Sequence, residues 1–275
     1  MHNKGLLQIQ RINLMRIFII TIDDPIQTNS FIQSIIDNNW GNIIGIIITK
    51  GSRLTINKKQ SKFLYIISLF LIMGLPHFFY NAAIVVIHRI RKILASLSFT
   101  KDPTIFGYVK KSGIPVFTVN NLMDSSFLNS LKELRPDIII NQSQFILKKE
   151  ILSIPSIGVI NRHNALLPKN RGRLTPFWVL YNGEKETGVS IHFVNEGIDT
   201  GDIIIQKKFT IGAKDTFNSI VKKNYQIASV AMSEAINKLE KGHKNFIKND
   251  DRFATYNTTP TIKEAWEYRL RRIMK

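Results

Sequence analysis

The chain has 275 residues, 44% of them hydrophobic and 21% charged, which is enough for one good-sized core and too apolar for disorder along its whole length. It has no cysteine, so disulfides, thiolate metal sites and cysteine nucleophiles are excluded and any chemistry falls to oxygen and nitrogen groups. A net charge of +18 points to an anionic partner (a phosphorylated substrate, a nucleic acid or an anionic membrane) unless biased lysine-rich composition alone accounts for it.

Residues 1–14 lack the long apolar stretch and small-residue cleavage site of a signal peptide, and Met15 is an alternative start. Residues 15–21 form a short β-branched run and predict a buried strand. A helix is predicted over 25–39, a strand over 43–49, another over 116–119, a helix over 125–135 and a strand over 137–140. Strands separated by amphipathic helices imply βαβ units, hence an α/β fold with a mostly parallel twisted sheet and helices on both faces. Ligands of such sheets sit at the carboxyl ends of the strands. The next predicted strand, 157–161, brings Asn161 and His163 to that edge. Residues 187–194 and 203–209 read as a strand pair joined by a loop that carries Asp199, with Gly197 and Gly201 expected to supply positive φ angles. Asp215 is a candidate N-cap for a long helix ending near Gly242, and a short basic helix is predicted over 262–274.

The segment from Arg53 to Lys101 carries eight basic residues and no acid. Within it, residues 63–75 and 78–87 are apolar and separated by Gly74 and Pro76, and neither arm has the roughly 20 residues needed to span a bilayer. Residues 55–99 therefore read as an amphipathic helical insertion. It suits the headgroup region of an anionic membrane, or else packs on the main domain or on a second copy as a homodimer.

The most informative feature is Asn161-Arg162-His163, followed by Leu166-Leu167-Pro168, Arg171-Gly172 and Asp199-Thr200-Gly201. An amide, an imidazole and a carboxylate from neighbouring strand ends can polarise a carbonyl, shuttle a proton and hold the shuttle in place. This ordered set resembles the 10-formyltetrahydrofolate-dependent formyltransferases, strongly over residues 158–206 and more weakly over 15–241. The resemblance implies a Rossmann-like formyltransferase domain over 15–242, interrupted by the insertion and followed by a short basic helical tail over 243–275.

It further implies that Asn161 donates an amide N–H to the formyl oxygen and that His163 stabilises the oxyanion and moves a proton, imidazole titrating near neutral pH. Asp199 would pair with His163. Asn141, Gln142, Ser143 and Gln144 would form the folate-facing wall, largely through their backbone, and Arg171 would meet a phosphate or carboxylate of the acceptor. Leu166-Leu167-Pro168 is a structural turn, Trp178 a core residue and His192 a structural histidine. The co-substrate implied is 10-formyltetrahydrofolate, with no metal. The expected acceptor is a small-molecule primary amine, foremost that of a nucleotide-linked amino sugar, because residues 249–275 are too short for the extra domain of methionyl-tRNA formyltransferases and the Trp178 neighbourhood looks sugar-type. Glycinamide ribonucleotide transfer, formyltetrahydrofolate hydrolysis and a non-catalytic membrane- or nucleic-acid-binding protein are the rivals. No nucleic-acid module is recognisable, so no nucleic acid is expected. The expected location is the cytoplasm, including the inner face of the membrane.

Overall fold

The computed structural model describes residues 14–49, 61–119, 121–143 and 145–274. The all-apolar run Ile17–Ile22 forms β1, buried at every position as a strand covered on both faces must be. It is followed by α1 (Thr28–Asn38), β2 (Ile43–Thr49), α2 (Lys62–Met73), α3 (Leu75–Ser96), α4 (Ile105–Lys111), β3 (Val116–Phe117), α5 (Ser125–Glu133), β4 (Ile138–Gln142) and α6 (Lys149–Leu152). The second half comprises β5 (Gly158–His163), β6 (Arg171–Gly172), α7 (Thr175–Tyr181), β7 (Glu186–Phe193), β8 (Ile203–Thr210), α8 (Phe217–Glu240), β9 (Tyr256–Asn257) and α9 (Ile262–Ile273).

Seven strands make one sheet in the order β3-β2-β1-β4-β5-β7-β8. Neighbouring strands from β3 through β5 are parallel, whereas β7 runs antiparallel to both β5 and β8. The fold is thus the expected α/β arrangement with helices against both faces. One face packs Ile17, Ile19 and Ile160 beneath α1 and α8, with Phe31, Ala228 and Met232 among the contacts. The other packs Phe18, Ile139 and Val159 beneath Phe127 and Leu131 of α5.

Side-chain caps set the helix starts. Asp124 accepts from the N–H groups of Ser126 and Phe127 at the head of α5. The cap of α8 is Thr216, in a reciprocal capping box with Ser219, rather than Asp215. Asp215 instead accepts from Ser219 Oγ and Lys223 Nζ.

The amphipathic insertion is two helices. Gly74, at φ 76°, ends α2, and Pro76 opens α3 in the first turn, where a missing N–H costs nothing. Arg53, Lys58, Lys59 and the start of the insertion lie outside the described residues. Helix α2 buries Tyr65, Ser68 and Ile72, whereas α3 buries none of its 22 residues.

Residues 243–274 are wound back into the body. Strand β9 pairs with β6, and Ala265 and Tyr268 of α9 fill a third apolar cluster with Ile72, Phe177, Trp178 and Phe217. The indole N–H of Trp178 donates to the Thr258 carbonyl, so this tryptophan is a core residue as expected.

Candidate active site

Strand alternation puts Asn161 and His163 of β5 on one face, with Arg162 on the other. Across the antiparallel pairing, His192 lies opposite Asn161 and Ser190 opposite His163. The loop between β7 and β8 then carries Asp199 to within 3.4 Å of His163, Oδ2 to Nδ1. The structure therefore brings His163 and Asp199 together and places Asn161 two residues before His163 on the same strand face.

The His163 ring is buried, with Nε2 2.7 Å from the Asn170 carbonyl oxygen. A carbonyl can only accept, so Nε2 carries a proton in every protonation state and the exchangeable proton belongs to Nδ1, beside Asp199. At 3.4 Å the pair is longer than a strong hydrogen bond, and the carboxylate acts as a nearby charge.

Asn161 is oriented by a relay from its neighbours. Arg162 Nε donates to Gln142 Oε1 at 3.1 Å, and Gln142 Nε2 donates to Asn161 Oδ1 at 2.8 Å. Because the guanidinium only donates, the polarity of both amides follows, and Asn161 turns its own NH2 away from the relay. Arg162 is held in turn by the rings of Phe31 and Tyr225, at 4.6 and 4.1 Å, and by the Tyr225 hydroxyl.

Asp199 sits at φ 52°, a left-handed conformation unusual for a non-glycine residue. Its surroundings over-determine it. The Gly172 N–H donates to Oδ2 at 2.9 Å, while Asn249 Nδ2 donates to the carbonyls of Asp199 and Gly201. Burial raises the Asp199 carboxyl, but His163, His192, the Gly172 N–H and Arg171 together outweigh it and hold it below the ordinary carboxylate range.

Gly197 and Gly201, expected to supply positive φ angles, do not. Their role is close approach: a Cβ on Gly201 would lie 2.0 Å from the Phe193 carbonyl oxygen, and one on Gly197 2.3 Å from Thr200 Oγ1.

His192, expected to be a structural histidine, lies beside Asp199. Its Nδ1 donates to the Phe193 carbonyl, and its Nε2, which has no hydrogen-bond partner, lies 3.6 Å from Asp199 Oδ1. Burial, reinforced by His163, pushes its pKa down to about 4, so the ring is neutral at pH 7. Two histidines thus flank one carboxylate, and the neutral one leaves Asp199 to serve His163.

Arg171 is fully buried, not turned toward an acceptor as expected. Its NH1 binds Asp251 and the Tyr256 hydroxyl, and its NH2 binds the Asn249 carbonyl and Oδ1. It ties residues 249–256 to the site, and Asn249 passes that constraint to the Asp199 loop.

In the expected folate-facing wall, Asn141 Oδ1 accepts from the Ser143 N–H and hydroxyl, closing a tight turn, and the Ser143 hydroxyl accepts from the Phe145 N–H. With Gln142 committed to the relay, these side chains shape the loop. Gln144 lies outside the described residues. The Leu166-Leu167-Pro168 turn is structural: Leu167–Pro168 is cis, and Ser190 accepts from the Leu167 N–H while donating to the Ala165 carbonyl. Among the described residues no cluster of three or more histidine or acidic side chains could hold a metal.

A donor amide, an imidazole and a depressed carboxyl near one strand end are groups that can polarise a small carbonyl and move a proton beside it. The sequence profile of the formyl transferase family matches residues 78–236, more than half of the chain. The methionyl-tRNA formyltransferase of Thermodesulfovibrio yellowstonii is 38% identical over 141 residues, covering 51% of this chain and 46% of that protein. The chain spans about half the length of the curated relatives it matches. In fold it is similar to glycinamide ribonucleotide transformylase 1 from Symbiobacterium toebii, with a TM-score of 0.56 at 15% identity over 86% of this chain and 95% of the other. It is also similar to the N-formyltransferase from Helicobacter canadensis solved with folinic acid and dTDP-3-aminofucose, with a TM-score of 0.53 at 19% identity over 89% of this chain and 71% of the other. The chain belongs to the formyl transferase family.

Proposed function

We propose that this protein transfers the formyl group of 10-formyltetrahydrofolate to a primary amine, foremost the amine of a nucleotide-linked amino sugar. The observation that carries the proposal is the fixed polarity of the site, with His163 Nε2–H committed to the Asn170 carbonyl, Nδ1 facing Asp199, and the Asn161 NH2 left unspent by Gln142.

In this reading Asn161 donates to the formyl oxygen as the amine nitrogen attacks the formyl carbon. His163 takes up a proton at Nδ1 as the amine acquires positive charge, and Asp199 stabilises the imidazolium. The new C–N bond forms, the bond from the formyl carbon to folate nitrogen breaks, and the proton is delivered to that nitrogen. The backbone of 141–143 would border the folate.

The amino-sugar preference is supported by the Helicobacter canadensis neighbour, whose structure contains an aminosugar nucleotide. A second reading, transfer to methionyl-tRNA, is favoured by the 38% identity to the Thermodesulfovibrio yellowstonii enzyme. We assign the transfer unit to residues 15–242, with 243–275 closing it, and place the protein in the cytoplasm. Tetrahydrofolate release measured with dTDP-linked amino sugars, glycinamide ribonucleotide, methionyl-tRNA or water as sole acceptor distinguishes these readings. Release with amino sugars alone is expected, and release without any amine would replace transfer by hydrolysis.

A further inference from the structure

Helix α3 is 22 residues long, about 33 Å at 1.5 Å per residue, and buries none of them. Phe79, Val86, Ile90, Ile93 and Leu97, each more than half exposed, form with the exposed Ala83 a stripe at alternating spacings of four and three residues. Such spacing puts all six on one side of the cylinder. On the opposite side, His88 Nε2 lies 3.0 Å from Asp23 Oδ2, which pins the back of α3 to the loop after β1. The apolar stripe is therefore held outward.

Its electrostatics are one-signed. From Ser61 to Lys101 the described chain has Lys62, Arg89, Arg91, Lys92 and Lys101 and no acid. Arg89 emerges on one flank of the stripe and Arg91 nearer the His88 side, and both are exposed, so that their long stems can reach along an apolar phase while the charges stay in water. Among the described residues no helix is long and apolar enough to cross a membrane.

We propose that α3 lies flat in the surface of an anionic lipid bilayer, apolar stripe down and basic residues at phosphate level. Helices of this kind sink about 5–10 Å into the headgroup boundary, anchored by apolar burial together with attraction to anionic lipid. The stripe would also fit a second copy of the helix. Charge decides against that, because the segment 61–101 carries no acid to meet the partner's arginines, whereas an anionic bilayer supplies the missing countercharge. The inference is independent of the acceptor proposed above.

The test is flotation of the full chain with vesicles of phosphatidylserine and phosphatidylcholine, against phosphatidylcholine alone. Two variants accompany it, Val86→Ser/Ile90→Ser/Ile93→Ser and Arg89→Gln/Arg91→Gln/Lys92→Gln, each checked by circular dichroism for native helix content. Flotation on the anionic vesicles only is expected, and each triple substitution should weaken it at least about tenfold, since one basic side chain near such a surface contributes about fivefold. A chain that does not float on anionic vesicles overturns the inference, including one that self-associates through the stripe by light scattering. So does flotation that survives either triple substitution.

Discussion

A neutral imidazole has one donor and one acceptor nitrogen, so the Asn170 carbonyl at His163 Nε2 decides which nitrogen can work. His163→Ala and Asp199→Ala are each expected to lower turnover by at least about 100-fold with an unchanged circular dichroism spectrum, the range general acid–base groups contribute. Near-normal turnover in either variant removes that residue from the mechanism. Gln142→Leu keeps Asn161 in place but frees its amide to rotate. Turnover should fall while the thermal midpoint moves little, and unchanged turnover would show that the relay does not orient Asn161. His192 sets an acid limit on stability. Its folded pKa of about 4 lies below the ordinary 6.5, so the unfolded chain takes up this proton first and stability falls as pH drops from 6.5 to about 4. Denaturant midpoints across that window should show the loss, and His192→Gln should shrink it. The placement of Asn161 and His163 on one strand face and of Asp199 on the β7–β8 loop was legible, because strand alternation and an Asp-Thr-Gly turn are local patterns; the roles proposed for them rest on the family resemblance. The tie of His192 to Asp199 was not legible, because it depends on how the β7–β8 loop closes. The burial of Arg171 was equally hidden, since its partners Asn249, Asp251 and Tyr256 lie about eighty residues further along.

Among the elements, the strongly periodic ones were read nearly to their ends, and the errors fall where local rules compete. The head of α8 offers both Asp215 and Thr216, and the Thr216–Ser219 capping box wins while Asp215 is drawn to Lys223. Thr216→Ala should destabilise the fold by about 1 kcal/mol in thermal or chemical unfolding. The short helix α4 leaves no helical signature in the sequence, because seven residues carry too little periodicity. The pairing of β6 with β9 was missed because two-residue strands carry no pattern at all. That small sheet nevertheless holds the Asp199 loop through Asn249. Asn249→Ala removes two hydrogen bonds to the loop and leaves Arg171 NH2 without its side-chain acceptor. Stability should drop by about 1–3 kcal/mol, and turnover should fall as Asp199 loses its fixed position. Full turnover in a stable Asn249→Ala protein would show that the loop holds itself.

At the scale of the whole molecule, the sheet and its two covered faces follow from apolar runs alternating with amphipathic helices, so the fold class could be read directly from the chain. How its last thirty residues are used could not. The sequence shows only a short basic tail, yet Ala265 and Tyr268 complete the apolar cluster around Phe177 and Trp178. Removal of residues 243–275 should therefore expose that cluster and abolish cooperative unfolding, whereas a stable, active 1–242 fragment would show the tail to be dispensable. The same wrapping places the site, since Asn249 and the β6–β9 pair hold the Asp199 loop in place against β5. Transfer of a formyl group to an amine at this strand end is tested by tetrahydrofolate release from 10-formyltetrahydrofolate by the full chain, with and without amine acceptors, beside the His163→Ala variant. Release that requires an amine and is lost in the variant is expected; release indifferent to the amine or to His163, or no release with any acceptor, would contradict it.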